Sequence, residues 1–219
     1  MKKQLLAEFL GSLFLLTIVN GVVILFSATF GGGDFEAVLT SAIAVAAILF
    51  VIIELFGPIS GAHFNPVVTM VMLFEKKVTM SQSLNYIIMQ ISGGLLGIII
   101  SHVMFWPESG VLLAISEVTR SDFNYFAEFV GTFMLIFAVL VLTKTKNKRA
   151  SLIIPLLVGA NILSISSTMF ANPMVTFARM FTNSGAGVRP LDGFMFIIMQ
   201  IVGGLVAYLV YKMMFKKEG

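Results

Sequence analysis

Cysteine is absent from this chain of 219 residues, which excludes disulfides and thiolate metal sites but leaves the compartment open. Histidine occurs only twice, at His63 and His102, too isolated to build a metal site. Charge is scarce as well: Asp, Glu, Lys and Arg make up 11% of the residues, against 58% that are hydrophobic. No Ser-His-Asp arrangement, nucleotide-binding loop or metal-ligand cluster is present. An enzyme, a cofactor, a bound metal and a nucleic-acid partner are therefore not expected.

What is present is apolar sequence in long runs. The mean hydropathy of +0.99 exceeds what a soluble core requires, and stretches of about 20 apolar residues, enough to cross the hydrocarbon layer, recur along the chain. They predict six spans, at about 4–26, 36–56, 80–105, 123–143, 151–168 and 191–215. No soluble domain fits between them, so residues 1–219 are expected to form one membrane domain. Met1-Lys2-Lys3 is expected to open the first span rather than a removable leader. With six spans, eleven of the fourteen cations fall on one side: Lys2, Lys3, Lys76, Lys77, Lys144, Lys146, Lys148, Arg149, Lys212, Lys216 and Lys217. The positive-inside rule then puts both termini in the cytoplasm. Trp106 suits the membrane boundary, and the Lys144–Arg149 cluster is a topology signal that also suits anionic lipid.

Two phrases repeat. Asn65-Pro66-Val67-Val68-Thr69 returns as Asn172-Pro173-Met174-Val175-Thr176. Asn caps backbone N–H groups, and Pro at the first helical position loses only a donor that had no partner, so each phrase predicts a helix start at membrane depth. Ala7-Glu8-Phe9-Leu10-Gly11-Ser12 likewise returns as Ala127-Glu128-Phe129-Val130-Gly131-Thr132, and Gln90-Ile91-Ser92-Gly93-Gly94-Leu95 as Gln200-Ile201-Val202-Gly203-Gly204-Leu205. The chain is thus a duplication, with repeats at about 4–105 and 123–215. Three spans per repeat is an odd number, so the second repeat enters from the opposite face. Irregular backbone at 57–64 and 167–171 is tolerated at that depth only if buried or lining a watery path, and the lined path is the economical answer. The paired glycines are expected to let helices pack closely.

These features together resemble the aquaporin and aquaglyceroporin family, the major intrinsic proteins, across essentially the whole chain. Ser60-Gly61-Ala62-His63-Phe64-Asn65-Pro66 is similar to the family's first signature and Ala171-Asn172-Pro173 to its second. The resemblance implies an all-α membrane protein with six transmembrane helices, two re-entrant half-helices and an inverted 3+3 repeat. It also implies a single passive channel domain in the plasma membrane, one pore per subunit in a homotetramer, with lipid around it and water and small neutral solutes inside. Asn65 and Asn172 would donate amide N–H groups to the solute, and acceptors would be the carbonyls of Gly61, Ala62, His63, Thr168, Met169 and Phe170. Glu8 and Glu128 would brace the re-entrant loops. Converging half-helix N-termini would repel cations and relayed protons.

The selectivity positions depart from the family pattern. Counted from the two asparagines, they fall on Val45, Ala160, Met169 and Val175, all apolar, and no Arg follows the second signature. A wider and less polar constriction is expected, suited to glycerol-like polyols, urea-like amides or neutral metalloid hydroxides, with water still passing. Arg179, four residues after Val175, lies on the same helix face about 6 Å further along and is either a displaced filter or a side chain that binds loop carbonyls or faces the extracellular surface. Val67 and Met174 replace the usual Ala, and Met174 is long enough to crowd the point where the half-helices meet. Glu54 and Asn161, each eleven residues before an asparagine, suggest an interhelical hydrogen bond, a polar inner vestibule or plain packing. A water-specific pore and a proton-coupled transporter using Glu54 remain as alternatives. His102 is expected at the interface.

Overall fold

The computed structural model describes residues 1–216; Lys217, counted above among the cations, lies outside them. Its helices, in chain order, are α1 (Lys2–Val23), prolonged by a π-helical stretch (Ile24–Thr29), α2 (Asp34–Ser60), α3 (Pro66–Phe74), α4 (Met80–Met104), α5 (Trp106–Ser109), α6 (Asp122–Lys144), α7 (Ala150–Ser164), α8 (Pro173–Arg179) and α9 (Pro190–Met214). Among the described residues five helices are long and apolar enough to cross a membrane. The sixth, α7, has 15 residues, about 22 Å of helix, short of the roughly 30 Å hydrocarbon layer.

Two boundaries differ from the sequence expectation. The fifth span was expected to run to residue 168 but stops at Ser164, because 165–172 form an irregular re-entrant segment. Ile165, Met169 and Phe170 are as apolar as the helix they follow, so hydropathy does not register the break. Conversely, Gly57-Pro58 does not end α2. The helix absorbs the proline and stops at Gly61, which takes the left-handed conformation (φ 89°) and donates its N–H to the Gly57 carbonyl.

Packing is organised in matched pairs. α1 lies most extensively against α4, and α6 against α9; α1 also meets α2 and α6 meets α7, and α2 and α7 join the two halves. Each short helix crosses over, α3 reaching α9 and α8 reaching α4. The Gly-Gly pairs account for the tightness. A methyl on Gly93 would overlap the Phe9 carbonyl oxygen, and one on Gly203 would lie 2.5 Å from the Phe129 carbonyl oxygen. Their neighbours Gly94 and Gly204 receive Met174 and Val67 respectively. Met174 and Val67 are therefore consumed in helix packing, where small residues and dispersion contacts replace the hydrophobic drive that lipid cannot give.

Candidate functional site

α3 and α8 each start on an asparagine cap. Asn65 Oδ1 accepts from Val67 N at 2.9 Å, and Asn172 Oδ1 accepts from Met174 N at 3.0 Å, with Pro66 and Pro173 at the first helical position. The amide nitrogens then bond reciprocally across the join. Asn65 Nδ2 donates to the Ala171 carbonyl at 2.9 Å and Asn172 Nδ2 to the Phe64 carbonyl at 2.8 Å. One amide hydrogen of each asparagine is thus used to lock one half-helix to the other half's loop. The second hydrogen has no protein acceptor among the described residues, and both asparagines line the same cavity.

That cavity, about 750 Å³, runs from Gln4, Lys77 and Gln82 at one end to Ser27, Asp34 and Gly185 at the other. The loops before the asparagines form part of its wall, and they do so through backbone that faces the wrong way for a helix. Gly61, Ala62 and Phe64 have positive φ (89°, 51° and 47°), and so do Thr168, Met169 and Ala171 (60°, 49° and 47°), at the same distances before Asn65 and Asn172. Such geometry is costly for residues with a side chain and persists only where the surroundings hold it. Here buried carboxylates hold it. Glu8 accepts from His63 N (3.0 Å), Phe64 N (2.8 Å), Ser60 Oγ (2.6 Å) and Gln90 Nε2 (2.8 Å). Glu128 accepts from Phe170 N (2.9 Å), Ala171 N (2.7 Å) and Gln200 Nε2 (2.6 Å).

Gly61, Ala62, His63, Thr168, Met169 and Phe170 all line the cavity, as do Val45 and Val175. Ala160 does not. It is exposed on the outside of α7, whose cavity face is Ala150, Ile154, Val158 and Ile162. Counting back from Asn172 places the constriction two residues off, and two residues on an α-helix is about 200° of rotation. Val67 and Met174, expected at the crossing point, are buried in helix contacts and do not narrow the lumen. Glu54 is exposed on the outer stripe of α2, and no hydrogen bond involves its side chain among the described residues; Asn161 is buried in α7 with its Nδ2 unpaired, so the expected bond between them is absent. His102 is buried rather than interfacial, bonded to the Leu112 carbonyl at 3.0 Å and Thr182 Oγ1 at 2.8 Å.

Arg179 is in the wall. It is buried, stacks its guanidinium 3.5 Å from the Phe170 ring centroid, and donates from Nε to the Ala186 carbonyl. A second arginine, which sequence reasoning missed, stands beside it. Arg120 comes from the segment between α5 and α6, lines the cavity, sits 5.5 Å from the same ring centroid and donates from Nη2 to the Gly187 carbonyl at 3.0 Å. Burial pulls its pKa below the usual arginine value, while Glu128 and Asp192 act in the opposite sense.

The segment that carries Arg120 is strapped down. Ala114 N bonds the Phe181 carbonyl (3.1 Å), Ser116 N the Met180 carbonyl (2.9 Å), and Arg189 N the Val118 carbonyl (2.8 Å). Asp192 completes the clasp, accepting from Arg120 N at 2.6 Å, Tyr125 Oη at 2.7 Å, and both Nε (2.7 Å) and Nη2 (3.0 Å) of Arg189. The sequence signal for this hub was an acidic residue in the first turn of a span, two positions after Pro190.

The sequence pattern of the major intrinsic protein family matches residues 1–171, ending one residue before the second Asn-Pro phrase. The chain is 32% identical over 205 residues to aquaglyceroporin AqpS of Rhizobium meliloti, covering 94% of this chain and 87% of that protein. It is 29% identical to the probable glycerol uptake facilitator protein of Thermotoga maritima, over 96% and 98% of the two chains. The solved structure of the aquaglyceroporin from Plasmodium falciparum superposes with a TM-score of 0.69 at 18% identity, covering 96% of this chain and 95% of that one. At that identity the likeness shows the fold: an all-helical membrane bundle with two short helices meeting inside it.

Proposed function

This chain belongs to the major intrinsic protein family, and we propose that it is a passive transmembrane channel for water and small uncharged solutes, glycerol-like polyols first among them, with urea-like amides and neutral metalloid hydroxides as further candidates. The observation that carries this is the pair of cross-bonded asparagines opening onto one cavity. A solute leaving water there meets amide donors from Asn65 and Asn172 and carbonyl acceptors from the two loops, so it exchanges hydrogen bonds instead of losing them. The walls on either side are Val45, Val158, Val175 and Met169, which suit a carbon skeleton and give nothing to an ion.

Both half-helices present N-termini to the crossing point, and this disfavours cations and a relayed proton. Glu8 and Glu128 act as braces: they hold left-handed loop backbone in place and so keep the carbonyls turned to the lumen. Arg179 supplies, at the outer end, the charge that Val175 lacks. The whole chain serves as one channel domain of two inverted repeats, in a plasma membrane with both termini cytoplasmic, and associates as a homotetramer as its family resemblance implies. A proton-coupled transporter is disfavoured because Glu54, the group it would have used, stands outside the cavity.

The test is stopped-flow light scattering on proteoliposomes challenged with water, glycerol, urea and a metalloid hydroxide gradient. Linear flux above empty liposomes, without accumulation and without dependence on a proton gradient, is expected. Saturable, gradient-driven uptake would overturn the channel proposal, and water flux alone would convert it to a water-specific pore.

A further inference from the structure

We infer that Arg120 is a specificity-determining residue of the pore: reaching in from the outer segment rather than from a half-helix, its guanidinium pairs with that of Arg179 as a station at the outer mouth that binds hydroxyl and carbonyl oxygens of an entering solute and turns cations away. The inference rests on the channel proposal and deepens it.

Three observations carry it. Both guanidinium groups line the one cavity and both address the same ring, Phe170, so two positive charges stand together in a wall whose outer end also carries Ser27 and Asp34. Neither has a carboxylate within ion-pair distance among the described residues, where the salt bridges are Arg189 with Asp192 and Lys212 with Glu75. Arg179 is buried and Arg120 half-buried, and a cation held in such a place for structural reasons alone is ordinarily paired. These two instead hold on to consecutive carbonyls, Ala186 and Gly187, which fixes their direction while leaving most of their donors unclaimed. Arg120 Nε is even sealed from solvent without a partner, a cost of the kind that persists where another need holds the side chain in place.

The third observation is the effort spent on the carrier. Asp192 fixes the backbone of Arg120 itself, and Gly187 is a glycine because a Cβ there would strike Ser116 Oγ and the Thr182 carbonyl oxygen, so the two strips can lie close enough for Arg120 to reach over Phe170. Solute oxygens are acceptors and guanidinium is donor only, which suits polyols and amides alike. A sodium ion approaching the same point meets two like charges in surroundings of reduced dielectric.

The experiment compares wild type, R120A, R120K and R120Q in proteoliposomes, reading water and glycerol flux by stopped flow and sodium entry with an entrapped sodium dye. R120A is expected to raise the sodium-to-water permeability ratio about tenfold and to lower the glycerol-to-water ratio about threefold. R120K is expected to restore sodium exclusion but not the glycerol ratio, because lysine keeps the charge and lacks the planar fork. Should R120A not reconstitute, R120Q carries the same two expectations. Ratios within twofold of wild type in the folded variant overturn the inference while the channel proposal stands, since a merely structural Arg120 would change yield and thermal stability without moving either ratio. R120K as leaky to sodium as R120A overturns the charge argument. Wild-type protein with no flux above empty liposomes overturns both proposals together.

Discussion

Replacing Glu128 with Gln changes one atom and removes one charge, yet the geometry leaves the amide no good orientation. The carboxylate takes Phe170 N on Oε1, and Ala171 N with Gln200 Nε2 on Oε2. An amide has one acceptor oxygen, so its NH2 must face a donor. The less costly orientation turns NH2 toward Phe170 and orphans that backbone N–H, about 1–3 kcal/mol for a buried donor. The two remaining bonds drop from charge-assisted to neutral, about 0.5–1 kcal/mol each. The total is roughly 3 kcal/mol, equivalent to about 6–12 °C in melting temperature for a chain of this size on the scale of globular proteins. Thermal unfolding in detergent should show that drop, and stopped-flow assays should show the glycerol-to-water ratio falling as the Phe170 and Ala171 peptides lose their fixed direction. E8Q should behave similarly: Ser60 Oγ can turn to accept from the new NH2, but His63 N or Phe64 N is orphaned either way. A melting temperature within 2 °C of wild type together with an unmoved ratio would refute the bracing role.

V158F should cut glycerol flux at least tenfold by filling the cavity face of α7, whereas A160F, pointing outward, should leave the glycerol-to-water ratio where it was; the reverse result in stopped flow would restore the alignment by counting. G203A should destabilise the fold by about 1–3 kcal/mol through overpacking against the Phe129 carbonyl, read as a lower detergent melting temperature, with G93A at least as severe. D192N removes the charge that clasps Arg189, Tyr125 and the Arg120 backbone, and a loss of about 2–4 kcal/mol together with faster proteolysis between residues 110 and 121 is expected; unchanged proteolysis would show that the clasp does not hold the segment.

The frame of this protein was legible because its polar residues are few and repeated. Glu8 and Glu128, Gln90 and Gln200, and Asn65 and Asn172 stand out in apolar runs, and each pair solves one backbone problem twice. Some of the unsatisfied atoms also come in pairs: Ser12 with Thr132 and the Oε1 atoms of Gln90 with Gln200. What escaped the sequence was rotation and reach. The Ala160 assignment failed because an irregular segment of unknown length in helical terms intervenes between α7 and Asn172. Glu54 was expected to bond Asn161, line the inner vestibule or pack between helices because both stand eleven residues before an asparagine, yet it lies on the outward stripe of α2 between Val51 and Leu55. Arg120 and His102 act through contacts to the 179–189 strip, long-range pairings that no local pattern encodes.

Those long-range contacts also locate the asymmetry of an otherwise two-fold design. Seven residues after Asn65 stands Met72, and seven after Asn172 stands Arg179; both line the cavity, at opposite ends. The segment bearing Arg120 joins the two repeats and so has no counterpart at all. Duplication therefore built a crossing point with equal halves and two equivalent walls, and the arginines stand at one end only, one on a half-helix and one on a connector outside the repeat. The crossing point can exchange hydrogen bonds with any small solute that enters. Discrimination between solutes must then come from the residues that break the symmetry, and among these the two arginines over Phe170 differ most in chemistry from what the other half provides.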